Sequence, residues 1–372
     1  MLSACFKTET FPLSFTPQLQ VKGIQIKDTH HNKTESFTPK STPWLHVEGI
    51  DIKDPGGNKV VLRGVSLPDI AANDYRSAAG DLSGKSAVQL IDMLTDKAKG
   101  WYATVIRLPV YPIWSLGYNA NPKKYYNDYI KPAVDKCVEK RIYCIIDWHY
   151  VDDPTKLDSE TRAFWTDIAP KYKDYPNIIF EVFNENSTGM SWASWKKIVQ
   201  PWVNLIRSYA PNNLILVGAP NYAQHLYDAP DNPIEGKNIV YVAHIYSAIK
   251  KSLWNPWIFS VANRIPIFIT EWGFRNGARH PTSGTITNFG IPLKDKIEQY
   301  NLSWTCWVAD HSWQPEMFDR NWNLLIGEDY MGGFVKDYLY KKGKSINQEV
   351  SLDRKYFDYI SETTKEDETS KL

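Results

Sequence analysis

The chain has 372 residues, 43% of them hydrophobic, enough for one large domain with a sizeable core. Its 43 Lys and Arg nearly balance 42 Asp and Glu, giving a net charge of +1, which argues against a dedicated nucleic-acid binder. No apolar run reaches the roughly 18 residues of a membrane span, and Cys5, Cys137, Cys144 and Cys306 form no CxxC pair and are too few for a disulfide scaffold.

Residues 1–42 are rich in Thr, Lys, Ser, Pro and His without a sustained period, as expected of a disordered tether. Within them Leu2-Ser3-Ala4-Cys5 resembles a bacterial lipobox, whose Cys carries a lipid anchor, but the basic and apolar stretches that precede such a motif are missing. The expectation is a secreted or cell-surface monomer. Order is expected from Trp44. There "WLHVEGIDIKD" alternates, "PGGN" reads as a turn and "KVVLRGV" follows, predicting a hairpin that feeds a strand.

Short apolar runs then recur at 60–65, 103–108, 143–147, 178–183, 214–218, 239–244, 266–270 and 303–308. They do not alternate cleanly, as expected of strands covered on both faces. Helical spacings fill most gaps. "GKSAVQLIDMLTDKAKG" ends on Gly100, a helix stop. "YYNDYIKPAVDKCVEKR" and "SWASWKKIVQPWVNLIRSYA" contain Pro132 and Pro201, where a helix begins late or kinks. "KDKIEQYN" precedes the eighth strand and "GGFVKDYLYKK" follows it. This α/β pattern predicts a (β/α)8 TIM barrel over 43–360 with an N-terminal β-hairpin, and a disordered charged tail over 361–372. The rival is an open doubly wound sheet, which usually shows a Gly-rich turn after its first strand; here that strand ends "RGVSLPD".

A barrel places its active site at the C-terminal ends of its strands. Those ends carry Arg107, Asp147-Trp148-His149, Asn184-Glu185, His244-Ile245-Tyr246, Glu271-Trp272-Gly273, and Trp304, Trp307, Asp310 and His311. Singly, each has an ordinary reading as a loop ion pair, helix cap or core histidine. Jointly they are costly to bury unless paired or functional. Glu185 and Glu271, on the fourth and seventh strands, would meet across the mouth and could flank a glycosidic bond. A separation of about 5–5.5 Å implies retention of configuration, and about 6.5–9.5 Å inversion. The 15 Trp and 22 Tyr suit pyranose faces, although such rings also fill ordinary cores.

These motifs resemble glycoside hydrolase family 5, the cellulase and mannanase family. "IIFEVFNEN" is similar to its strand-four signature, with the Asn-Glu pair at Asn184 and Glu185, and "IFITEWG" to its strand-seven signature, with Glu271. "VIRLP" matches at Arg107, "IIDWH" at His149, "AHIY" at His244 and Tyr246, and "SWTCWVAD" at Trp307, over roughly 44–342. The resemblance implies Glu271 as nucleophile and Glu185 as acid/base. Arg107 and Tyr246 would hold Glu271, and His244 would support Glu185. Asn184 would contact the sugar 2-hydroxyl, and His149 and Trp307 the sugar beside the cleaved bond. It implies no metal or organic cofactor. Tyr111, Trp114, Trp148, Trp313, Asn221 and Gln224 are candidates to extend the cleft, with packing the alternative for the rings. The expected substrate is a β-1,4-glucan cut internally, with β-1,4-mannan the alternative. A non-catalytic carbohydrate-binding protein on the same scaffold, and a barrel acting on phosphorylated metabolites, are the other classes. The second would want a Gly-rich loop after the last strands, which "EWGFRNG" matches poorly.

Overall fold

The structure, a computed structural model, describes residues 42–73 and 84–345. The expected tether apart from Thr42, the motif at Cys5 and the tail from Ser361 lie outside the described residues.

Eight parallel strands close into a barrel. They are β1 Arg63–Ser66, β2 Val105–Val110, β3 Tyr143–Trp148, β4 Ile178–Glu181, β5 Ile215–Gly218, β6 Ile239–Tyr246, β7 Ile267–Gly273 and β8 Ser303–Cys306, each beside the next and β8 beside β1. Side chains alternate across each strand. On one parity Ile106, Ile146, Phe180 and Val217 join the large core shared with the surrounding helices. On the other, Val105, Tyr143, Ile145, Ile179, Leu216, Val242 and Phe268 form a separate inner cluster that fills the barrel. Both faces are therefore apolar, which is why the runs lack a clean period of two.

The hairpin forms with a different turn from the expected one. His46–Glu48 pairs antiparallel with Asp51–Lys53, reversing at Gly49-Ile50, where Gly49 has φ 63°. "PGGN" makes a second turn at Gly57 (φ 82°) that brings Lys59 against Lys53. Leu45 and Ile52 of the hairpin belong to the inner cluster and cover the N-terminal end of the barrel. Hydrogen bonds from the Tyr143 hydroxyl to the Pro43 carbonyl (2.8 Å) and from the Val47 amide to Asn238 Oδ1 (3.0 Å) pin it there.

The helix after β1 stops earlier than expected. Ala87–Leu94, capped by a reciprocal Ser86–Gln89 box, ends at Thr95, and a separate 3₁₀ turn, Lys97–Lys99, runs into Gly100. Pro132 does not break its helix. A π turn, Tyr126–Ile130, precedes Lys131–Lys140, and the same arrangement, Ile286–Gly290 before Ile291–Tyr300, serves Pro292. The wider turn accommodates the missing proline N–H. Pro201 lies within a single helix, Trp192–Tyr209.

Candidate active site

The inward parity continues past the apolar cluster and changes chemistry inside the barrel. It delivers Arg107 from β2, Asp147 from β3, Glu181 from β4 and His244 from β6, all fully buried. Polarity was expected only where the strands emerge; it begins a layer lower. Asp147 and Glu181 were not assigned a role from the sequence, Glu181 because it sits inside the run "IIFEVF". A buried Arg and a buried Glu at the same inward parity were the signal available.

Arg107 organises this layer. Its Nε donates to Glu181 Oε2 at 2.6 Å, Nη1 to Glu271 Oε1 at 2.7 Å, and Nη2 to Asn184 Oδ1 at 2.7 Å, with Asp147 Oδ2 2.9 Å away. The second oxygen of Glu271 accepts from the Tyr246 hydroxyl at 2.8 Å. His244 Nδ1 lies 2.7 Å from Glu185 Oε1 and 3.7 Å from Glu271 Oε2, and Nε2 lies 2.9 Å from Thr270 Oγ1. A β-bulge makes this possible. Ala243 pairs with Ile269 but His244 with Glu271, so Thr270 is an extra residue on β7, and it and Glu271 both reach the same imidazole.

Glu185 is held from its backbone. Val151–Asp152 and Glu185–Asn186 form a two-strand parallel sheet beyond the barrel, with Glu185 N donating to the Tyr150 carbonyl at 3.1 Å. Fixing Arg107 on the Asn184 oxygen leaves the Asn184 Nδ2 donors without a protein partner among the described residues. His149 Nδ1 meets Asp147 Oδ2 at 2.6 Å, and its ring stacks with Trp307 at 5.3 Å.

Burial opposes charge on every member, and the ion pairs outweigh it at Glu181, Glu271 and His244 but not at Asp147. Burial would raise Glu181, but Arg107 and His244 bring it down to about 2. Burial would raise Glu271, but His244 and Arg107 outweigh it and lower its pKa. Burial raises Asp147 against the pull of Arg107. Burial would lower His244, but Glu271, Glu181 and Glu185 push it up to about 10. A folded pKa of about 10 against an ordinary 6.5 means that His244 contributes stability fully below pH 6.5 and loses it as pH rises toward 10. The urea midpoint of the protein is therefore expected to fall across that window, and His244→Asn to flatten the slope. An identical slope in both proteins would remove His244 from the charged set.

Donor atoms of Glu185, His244 and Glu271 lie within 4.8 Å of one another, close enough to hold a cation. All three already serve in the hydrogen-bond set, with Arg107 and His244 supplying positive charge.

The sequence matches the family model for cellulase (glycosyl hydrolase family 5) over residues 54–312. The chain belongs to glycosyl hydrolase family 5. Endoglucanase A of Evansella cellulosilytica is 29% identical over 255 residues, covering 67% of this chain and 50% of that protein. An endoglucanase of Clostridium saccharobutylicum is 30% identical over 258 residues, covering 67% and 55%. The chain thus spans about half the length of these curated relatives. A solved β-glucanase from Saccharophagus degradans superposes with a TM-score of 0.72 at 23% identity, over 85% of this chain and 98% of that one, a likeness of fold.

Around this family 5 centre, the structure gathers Tyr111, His149, Trp307 and Trp313 into one aromatic wall. Tyr111 lies 4.4 Å from His149 and 5.7 Å from Trp313, and Trp307 6.1 Å from Trp313. Trp148 is a correction. It is fully buried, donates its indole N–H to Thr161 at 2.9 Å and stacks on Phe164, so it faces the helices and not the cleft. Alternation along β3 requires this, because Asp147 and His149 take the inward parity. Asn221 stands apart from the carboxylate network. It begins three successive left-handed residues, Asn221 to Ala223, and its amide meets His225 Nε2 at 3.0 Å.

Proposed function

We propose that this chain is a retaining endo-β-1,4-glucanase in which Glu271 is the nucleophile and Glu185 the acid/base. The observation that carries this reading is the unequal pair at the barrel mouth. The two carboxylates offer oxygens within 4.8 Å of each other, short of the roughly 6.5–9.5 Å of an inverting pair and close to the separation that suits double displacement. Glu271 is ionised and aimed by Arg107 and Tyr246, as a nucleophile needs. Among the described residues the Glu185 carboxylate has His244 as its one hydrogen-bond partner, and its side chain is 13% exposed against 6% for Glu271, as a group that meets both leaving oxygen and water needs.

In this mechanism Glu271 attacks the anomeric carbon while Glu185 protonates the departing glycosidic oxygen. Glu185 then takes a proton from the water that cleaves the glycosyl ester. The Asn184 Nδ2 donors are available to the 2-hydroxyl, and the His149–Trp307 wall to the sugar face. The names of the curated relatives favour glucan over mannan. The sequence motif at Cys5 favours placement at the cell surface; among the described residues no helix is long and apolar enough to cross a membrane.

The first product released from a cello-oligosaccharide is expected to be the β-anomer by NMR; an initial α-anomer would overturn the retaining assignment. Reducing-sugar release is expected on carboxymethylcellulose before mannan or xylan, and the reverse order would transfer the substrate assignment.

A further inference from the structure

We propose that Thr270 is a positioning residue for the acid/base, its hydroxyl dictating which nitrogen of His244 shares the exchangeable proton with Glu185. This rests on the reading of Glu185 as acid/base.

The hydroxyl of Thr270 sits between two partners, Glu181 Oε1 at 2.7 Å and His244 Nε2 at 2.9 Å. It has one proton to give. Glu181 is ionised, because Arg107 donates to its other oxygen at 2.6 Å and the positive charge of Arg107 and His244 outweighs its burial. A carboxylate only accepts, so the Thr270 proton goes to Glu181. The Thr270 oxygen can then offer only a lone pair to Nε2, and Nε2 must carry a hydrogen. That leaves Nδ1 as the nitrogen that gains or loses a proton, and Nδ1 is the one 2.7 Å from Glu185.

The consequence is a single proton shared along one line, Nδ1 to Glu185 Oε1. It resides on either group, and from Glu185 it passes to the glycosidic oxygen. A proton from water restores it in the second step. Thr270 keeps its own proton throughout. The β7 bulge is what brings Thr270 to the imidazole beside Glu271, and the Thr305 hydroxyl, donating to the Thr270 carbonyl at 2.5 Å, anchors that bulge. The charged groups facing His244 are Glu181 and Glu185 from the β4 side and Glu271 from β7. Glu181 Oε1 lies 3.8 Å from Nε2, too far for a direct hydrogen bond, and the Thr270 hydroxyl bridges the two, adding a hydrogen-bonded link to the ion pair that stabilises the charged ring.

Thr270→Val removes the link at nearly constant volume and Thr270→Ser keeps it. In Thr270→Val, kcat/KM on a cello-oligosaccharide is expected to fall about tenfold. On 2,4-dinitrophenyl cellobioside, whose leaving group needs no acid, the change is expected to stay within about twofold. The ring holds its proton less tightly without the link, so the alkaline limb of the pH profile is expected to move down by about one unit. Thr270→Ser is expected to restore all three. An unmoved limb, or equal losses on both substrates, would overturn the proposal as a merely structural effect. Nitrogen-15 NMR of His244 in the unaltered protein decides the point without relying on a variant that folds: a protonated Nε2 is expected, and an unprotonated Nε2 near neutral pH overturns it. Near-normal cello-oligosaccharide turnover by Glu185→Ala would instead sink the reading of Glu185, leaving the NMR result to judge Thr270 alone.

Discussion

Glu271→Ala is expected to lower kcat/KM on cello-oligosaccharides by about 10⁴-fold or more. The substitution removes the atom that would bond to the anomeric carbon, and no neighbour can replace it. Arg107 and His244 are donors at this position, and the Tyr246 hydroxyl is held far above its ordinary pKa, first by burial and then by the facing carboxylates. Glu185 is committed to His244. The loss should fall on activated and natural substrates alike, because both need the nucleophile. A small anion can occupy the vacated space beside Arg107, so azide is expected to rescue turnover of an aryl glycoside and yield the α-glycosyl azide. Near-normal rates without azide would remove Glu271 from its assigned role. A β-azide product would show that some other group still forms the covalent intermediate.

Glu185→Ala should lose nearly as much on cellulose and far less in the first step on 2,4-dinitrophenyl cellobioside. General acid catalysis contributes about 10²–10⁴-fold, and a leaving group that departs as a stable anion does not require it. The second step still lacks its base, so the glycosyl-enzyme should accumulate and a burst of dinitrophenolate should precede slow turnover. Azide needs no base to attack, and it is expected to accelerate release as the β-glycosyl azide. The opposite configurations from the two variants would separate the two roles within one experiment. Equal losses on both substrates, with no burst, would sink the acid/base assignment.

The eight strands were legible because each is an apolar run of the right length, and the strand-end residues because the apolar pattern stops there. What was hidden shares one physical cause. Glu181 lies within the strand and its partner Arg107 is 74 positions earlier, so nothing local marks it as charged and paired. Thr270 gains its place only through a bulge, a register shift that depends on the pairing of β6 with β7. Trp148 misled in the other direction. It sits between two residues that do face the cleft, and a strand sends consecutive side chains to opposite faces. The hairpin turn moved for a simpler reason: two glycine-containing reversals lie close together, at Gly49 and at Gly57, and both form.

The hairpin has a practical consequence for where this catalytic unit can be cut. The family match begins at residue 54, past both Leu45 and Ile52. Trimming the polypeptide to that boundary would unstopper the floor of the barrel and let solvent climb toward the ions around Arg107, whose mutual attraction depends on dryness. The smallest self-sufficient version of the enzyme is therefore expected to begin no later than Pro43, the residue whose carbonyl fastens the stopper.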